Sequence, residues 1–224
     1  ASVELPARAL DEVAVEDDAS HVAIRFAPLG AVDAKLEVGG GFALYRGAVA
    51  GADVVHRVHA EGTEDFVTFE TKPSREELAY RVDVTRVAGL RLVGNTVEFL
   101  DAGGAPRLRV APPYVVDAKG VSHDAQLAIE GCAYDSDPRA PWERPITKPG
   151  ADICTVRVAW NGVEYPAIVD PSWVATGSMA YPRTSHTATV ISSGKVLVAG
   201  GGRTVAELYS TSTKVFSTTG TMIA

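Results

Sequence analysis

Short valine-rich runs with a period of two fill the chain from Phe42 to Asp117, and they restrict it to folds made of half-buried strands. Tyr80, Val82 and Val84 alternate with Arg81, Asp83 and Thr85, so one face is apolar and the other wet. Leu90–Val93 and Thr96–Leu100 flank Gly94-Asn95, a two-residue hairpin signal. A turn at Asp101–Gly104 leads into Pro106–Val110. Val156, Val158 and Trp160 alternate with Thr155, Arg157 and Ala159 before Asn161-Gly162, which reads as another hairpin turn. A strand is also expected at His21–Phe26. Gly39–Gly41 is punctuation and not a phosphate loop, because Phe42–Tyr45 continues as a strand and not as a helix start. Helix signals are confined to Ser74–Glu77, an N-cap followed by acids with room for one turn. The chain is therefore expected to be all-β, beginning with an antiparallel β-sandwich.

Charge divides the chain. The net charge is −7, yet residues 171–224 carry four cations against Glu207, leaving −10 on the first 170 residues. Together with the Thr-, Ser- and Gly-rich tail, this places a boundary near Pro171, between an acidic sandwich-like domain (1–170) and a repeat unit (171–224). An acidic body argues against nucleic acid as a partner, since phosphate neutralisation needs clustered Lys and Arg. No apolar run approaches the roughly 20 residues of a membrane-spanning helix. With Ala1 in first place, removal of a signal peptide is one expectation, which would make the protein secreted or displayed at a cell surface.

Trp173-Val-Ala-Thr176-Gly177-Ser-Met179 recurs 43 residues later as Phe216-Ser-Thr-Thr219-Gly220-Thr-Met222. A period in the forties marks a stacked repeat unit such as one blade of a propeller, and the chain carries about one such unit where a closed ring needs roughly four to eight. Four short strands are expected beyond Trp173: His186–Ile191, Lys195–Gly202 with glycines at its exit, Ala206–Tyr209 and Lys214–Phe216. With its glycine run at Gly200, Gly201 and Gly202, with Tyr209, and with Phe216 seven residues on, this tail (about 172–224) resembles a bacterial kelch repeat. Thr176–His186 is similar to the opening of such blades in large secreted proteins of soil bacteria. Tyr165-Pro-Ala-Ile-Val-Asp170-Pro171 resembles junctions that end β-rich leader domains ahead of repeat arrays in bacterial surface proteins. The resemblance implies that Trp173, Met179, Gly200, Gly201, Tyr209, Phe216 and Met222 serve the repeat and its assembly. It also raises a galactose-oxidase-like copper site, which would need a Tyr–Cys cross-link and two His ligands. The tail holds no cysteine and a single histidine, His186, so such a site would lie outside this chain.

Chemistry-bearing residues are sparse. Cys132 and Cys154, with 21 residues between them, are expected to form a disulfide in an exported protein, worth about 3 kcal/mol on the chain-entropy argument; two buried thiols in a reducing compartment are the alternative. Asp135 and Asp137 form the best cation candidate, where two carboxylates and loop carbonyls would suit Ca²⁺, but the full EF-type spacing is absent and an Asx turn ahead of Pro138 is the favoured reading. Trp142, in the same proline-rich loop, would stack on a sugar ring or pack over the disulfide. His56 and His59 face opposite sides of a strand and read as surface histidines beside the solvated acids Glu64 and Asp65. Ser122-His123-Asp124 contains the triad residue types but reads as a polar turn, since adjacent residues cannot form a relay. Arg107 and Arg109 are expected to pair with Glu98 across a hairpin. No nucleophile elbow is present, and no catalytic residue is assigned. The expectation is a non-catalytic binding or adhesion module, with a glycan or protein ligand, or a self-assembling subunit. The alternative is the leading part of a larger propeller enzyme.

Overall fold

A computed structural model describes residues 1–139, 141, 144–175, 177, 179–181, 183, 185–191, 195–210 and 216–221. The chain divides into two compact units, Ala1–Ala175 and Thr176–Ala224. Among the described residues there is no helix. The first unit contains β1 (Ser2–Glu4), β2 (Val13–Glu16), β3 (Ala23–Pro28), β4 (Leu36–Gly39), β5 (Phe42–Val49), β6 (Ala52–His59), β7 (Gly62–Phe69), β8 (Glu77–Arg86), β9 (Gly89–Val93), β10 (Thr96–Leu100), β11 (Pro106–Val110), β12 (Tyr114–Val116), β13 (Ser122–Asp124), β14 (Gln126–Glu130), β15 (Ile153–Ala159), β16 (Ala167–Asp170) and β17 (Ser172–Ala175). The second contains β18 (His186–Ile191), β19 (Lys195–Gly200), β20 (Val205–Ser210) and β21 (Phe216–Thr221).

Two antiparallel sheets build the first unit. The smaller runs β1-β2-β3-β8-β15-β14. The larger is organised around β7, with β6, β5 and β4 on one side and the consecutive strands β16 and β17 on the other. Pro171 separates β16 from β17 because it has no N–H to donate to a ladder, and the Asp65 N–H bridges the gap by donating to the Pro171 carbonyl at 3.2 Å. Ala111-Pro112-Pro113 breaks the neighbouring strand at the same level, so β16 hands on to β12 and β13 while β17 hands on to β11, β10 and β9.

The alternation seen in the sequence explains the layers. Leu78, Tyr80, Val82 and Val84 of β8 are buried, as are Val156, Val158 and Trp160, and Val97, Phe99, Leu108 and Val110 meet them from the larger sheet. This is sheet-on-sheet packing. At its centre the Phe26 and Trp173 rings stack, with centroids 3.9 Å apart and planes 10° from parallel. Tyr80 meets both edge-on, at 6.0 and 5.4 Å. Beneath Trp173 lies Gly62, whose φ is +152°; a Cβ there would lie 2.0 Å from the Trp173 carbonyl oxygen. Only glycine fits.

Several expectations change. Trp173, expected with the repeat, is a wholly buried core residue of the first unit, while its counterpart Phe216 begins β21 in the second unit. The cause is that Ser172–Ala175 finds partners on both sides, β7 and β11. Asn161-Gly162 does not close a hairpin: β15 and β16 belong to different sheets, and the chain crosses between layers there. Ser74–Glu76 forms bends and not a helical turn, because Glu77 already pairs in β8 with Ala159. The first strand pair of the Gly94-Asn95 hairpin is as expected, with both turn residues at positive φ.

The second unit is a four-stranded antiparallel meander, β18-β19-β20-β21. Gly200, Gly201 and Gly202 leave β19 at φ +83°, +70° and +73°, a bend that side-chain-bearing residues resist. Tyr209 and Phe216 pack across β20–β21 with ring centroids 4.8 Å apart. If Trp173 is the keystone of the sandwich and not a repeat residue, Trp173→Ala should lower unfolding free energy by about 3–5 kcal/mol in urea titration. A loss under about 1 kcal/mol would place it outside the core.

Candidate functional site

Three polar clusters stand out, and the sequence anticipated one of them in part. Cys132 and Cys154 form a disulfide with Cα atoms 5.5 Å apart, closing the loop between β14 and β15. In that loop Asp135 and Asp137 are brought together by Arg91, Arg139 and Arg144. The Asp137 N–H donates to Asp135 Oδ1 at 2.9 Å, and Arg144 Nη2 lies 3.2 Å from Asp135 Oδ2 and 3.1 Å from Asp137 Oδ2. Arg139 donates to Asp137 through both its backbone N–H and its guanidinium. Arg91, on β9 and almost fully buried, donates to Glu98 Oε2 at 2.6 Å and to the carbonyls of Asp137 and Arg139 at 2.9 and 2.8 Å.

These contacts hold both carboxyls ionised. The guanidinium of Arg139 keeps Asp137 well below the ordinary carboxylate range, and the Asp137 backbone N–H, followed by Arg144, lowers Asp135. The donor set does not fit Ca²⁺. Each of the four carboxylate oxygens already faces an N–H or a guanidinium, and a cation would have to displace arginines that neutralise them. The arrangement is an Asx turn reinforced by ion pairs. Trp142 lies outside the described residues.

The second cluster differs from the surface arrangement expected of its residues. His56 and Asp65 are not surface groups: they are cross-strand partners on β6 and β7, 4% and 1% exposed, with Nδ1 and Oδ1 2.7 Å apart. Thr63 Oγ1 donates to the same Asp65 oxygen at 3.2 Å. Asp65 Oδ2 and the Tyr80 hydroxyl are buried without protein partners, and both line a cavity of about 20 Å³ together with Tyr45 and His56. That volume suits one water molecule and no substrate. Burial, then the Asp65 and Asp170 charges, push the Tyr80 hydroxyl well above its ordinary range, and burial, then the Asp65 and Asp11 charges, push Tyr45 up to about 12. His59 lies elsewhere, beside Glu61.

Asp170 was not singled out by sequence. Burial pushes its carboxyl up to about 6, with Glu64 and Asp65 adding to the shift and the bond from Tyr114 opposing it. It lies at the end of β16, paired with Tyr114 of β12, and nothing local in the sequence shows that pairing.

The third cluster lies in the second unit. Arg183 and Glu207 form an ion pair whose side chains are both 0% exposed, with Nε 3.0 Å from Glu207 Oε2. Glu207 Oε1 accepts the Ala180 N–H at 2.6 Å, while Arg183 donates to the carbonyls of Gly200 and Val205 at either side of the glycine bend. Of the expected repeat residues, Gly200, Gly201, Tyr209 and Phe216 lie on or beside this sheet; Met179 is half-buried outside the strands, and Met222 lies outside the described residues. Arg107 pairs with Asp101 at 2.6 Å, and Glu98, directly opposite Arg109, takes Arg91 as its ion-pair partner. His123, in β13 and not in a turn, bonds Asp117 at 2.8 Å.

The Asp170 shift fixes a pH dependence. A carboxyl whose acidity is weakened by folding favours the protonated state, so its contribution is complete below about pH 4 and is lost as pH rises through about 6. Asp170→Asn should therefore gain stability over the native chain between pH 6 and 8, and the two denaturation profiles should converge near pH 4. Parallel profiles would refute the assignment. Separately, Glu207→Ala should cost the second unit about 3–5 kcal/mol by stranding Arg183, read as early loss of its amide protection. The disulfide is consistent with an extracytoplasmic protein, and no described helix is long and apolar enough to cross a membrane. Comparison with family models, with curated proteins and with solved structures yields no match.

Proposed function

We propose that this chain is a non-catalytic, exported binding or structural protein whose second unit is a kelch-like repeat that associates with further units of its kind. One observation carries this reading. Both outer strands of the four-stranded sheet are exposed along five of their six residues, including Val190 at 76% exposure. Among the described residues of this unit the buried apolar side chains are Val198 and Ala206, beside the Arg183–Glu207 pair. A sheet with so little core of its own gains stability by stacking on neighbours. The part of the 43-residue recurrence that lies beyond the sandwich, Thr176-Gly177-Ser-Met179 repeated as Thr219-Gly220-Thr-Met222, supports neighbours of the same kind.

A non-catalytic role is supported by where the titratable clusters lie. The His56–Asp65–Tyr80 group faces a cavity of about 20 Å³, and the aspartates of the disulfide loop are neutralised by arginines. A glycan or protein ligand would have to use exposed loops and strand faces. Sedimentation of the full chain over a wide concentration range tests the reading. Association is expected, weakened at least about tenfold by Val190→Glu, which places a charge on the exposed face. A monodisperse species of 23.5 kDa at every concentration, with the second unit folded, would overturn it.

A further inference from the structure

The chain has two asparagines, and the fold treats them in opposite ways. Asn95, in the turn between β9 and β10, is held at both ends of its amide. Its Nδ2 donates to the Ala125 carbonyl at 2.8 Å, and its Oδ1 accepts the Leu127 N–H at 2.8 Å. The next residue, Thr96, is already paired in β10 with Val93. Asn161 stands just beyond β15, at the start of the crossing between layers, and both it and Gly162 are exposed. Among the described residues, neither the Asn161 amide nor the Gly162 N–H makes a hydrogen bond. The crossing is pinned on either side of them instead. The Trp160 N–H donates to the Glu76 carbonyl at 3.0 Å, and the Glu164 carbonyl accepts the Ala118 N–H at 3.1 Å.

This freedom opens Asn161 to a reaction within its own chain. Once its proton is lost to a base in the solvent, the Gly162 nitrogen can attack Cγ of Asn161. The new C–N bond closes a succinimide ring, the Cγ–Nδ2 bond breaks, and the amide nitrogen takes up a proton and leaves as ammonia. Water then opens the ring. Attack at the side-chain carbonyl gives aspartate; attack at the main-chain carbonyl gives isoaspartate, with the backbone rerouted through the side chain. Ring closure needs room around the nitrogen and backbone freedom to bring it to Cγ, and glycine provides both. At Gly162 φ is +70°, and even an added Cβ would meet nothing within 4 Å. At Asn95 the amide would have to give up two hydrogen bonds, and Thr96 its place in the ladder, before the ring could close.

We propose that Asn161 is a site of spontaneous modification, converted in the folded chain to aspartate and isoaspartate through a succinimide, while the fold preserves Asn95. Conversion adds a negative charge to the acidic first unit, and isoaspartate lengthens the backbone between the buried Trp160 and Val163. The test incubates the full chain, folded and urea-unfolded, in mildly alkaline buffer. Peptide mapping follows both asparagines, and enzymatic methylation of the free α-carboxyl scores isoaspartate. Thr96→Gly gives Asn95 a glycine neighbour as well, so that any difference between the two sites then comes from the fold. Protection of the Val82 and Val156 amides from exchange shows that the chain is folded during the incubation. Folding is expected to slow Asn161 by less than about tenfold, and Asn95 of the Thr96→Gly chain by more than about tenfold. Greater slowing of Asn161 in the native chain, or equal slowing at both sites in the variant, would overturn the proposal.

Discussion

The stacking of Trp173 on Phe26 is the contact through which the two layers of the first unit become one body. Trp173 belongs to the larger sheet and Phe26 to the smaller, and Tyr80 closes against both. The indole can sit there because β17 presses its backbone onto β7 at a residue without a side chain, Gly62. Large aromatic burial and a glycine-only approach are thus two halves of one requirement. Polar groups are buried close to this centre: Thr63 and Asp65 lie on β7, the strand that begins at Gly62, and His56 lies opposite Asp65 on β6.

Burial gives the three polar clusters different characters. In the disulfide loop, arginines surround two aspartates and the charges cancel locally. In the second unit, one arginine and one glutamate cancel each other with no exposure at all, and their remaining hydrogen-bonding capacity goes to the backbone. Asp170 has no cationic partner among the groups that shift it, so it resists ionisation. The protein therefore combines ion pairs that hold its bends with one acidic group that folding disfavours in its charged form.

Much of the fold was legible because strand periodicity is a local signal. The β8 alternation, the Gly94-Asn95 turn and the meander of the tail follow directly from residue order. Cys132 and Cys154 were legible as a pair for the same reason that they are few. Other features were hidden because they depend on which strands become neighbours. His56 and Asp65 lie nine positions apart and looked like surface groups, until β6 and β7 set them opposite each other facing the core. Asn161-Gly162 had the composition of a hairpin but serves a crossing between layers, a matter of topology and not of turn chemistry. Arg91, Arg183 and Glu207 carry no distinguishing motif, and their roles come from partners 7 to 48 residues away.

The paired proline breaks, Pro171 in one strand and Pro112-Pro113 in its neighbour, crease the larger sheet along a line between two arms. The arm of β12 and β13 hangs on β16, and that of β9, β10 and β11 hangs on β17. Ladder bonding does not run unbroken across the crease, so a shift in one arm's pairing is not forced upon the other. Hairpin lengthening or trimming on either arm can then be absorbed locally, which makes this crease the natural place for such a scaffold to diversify its outline while conserving its centre.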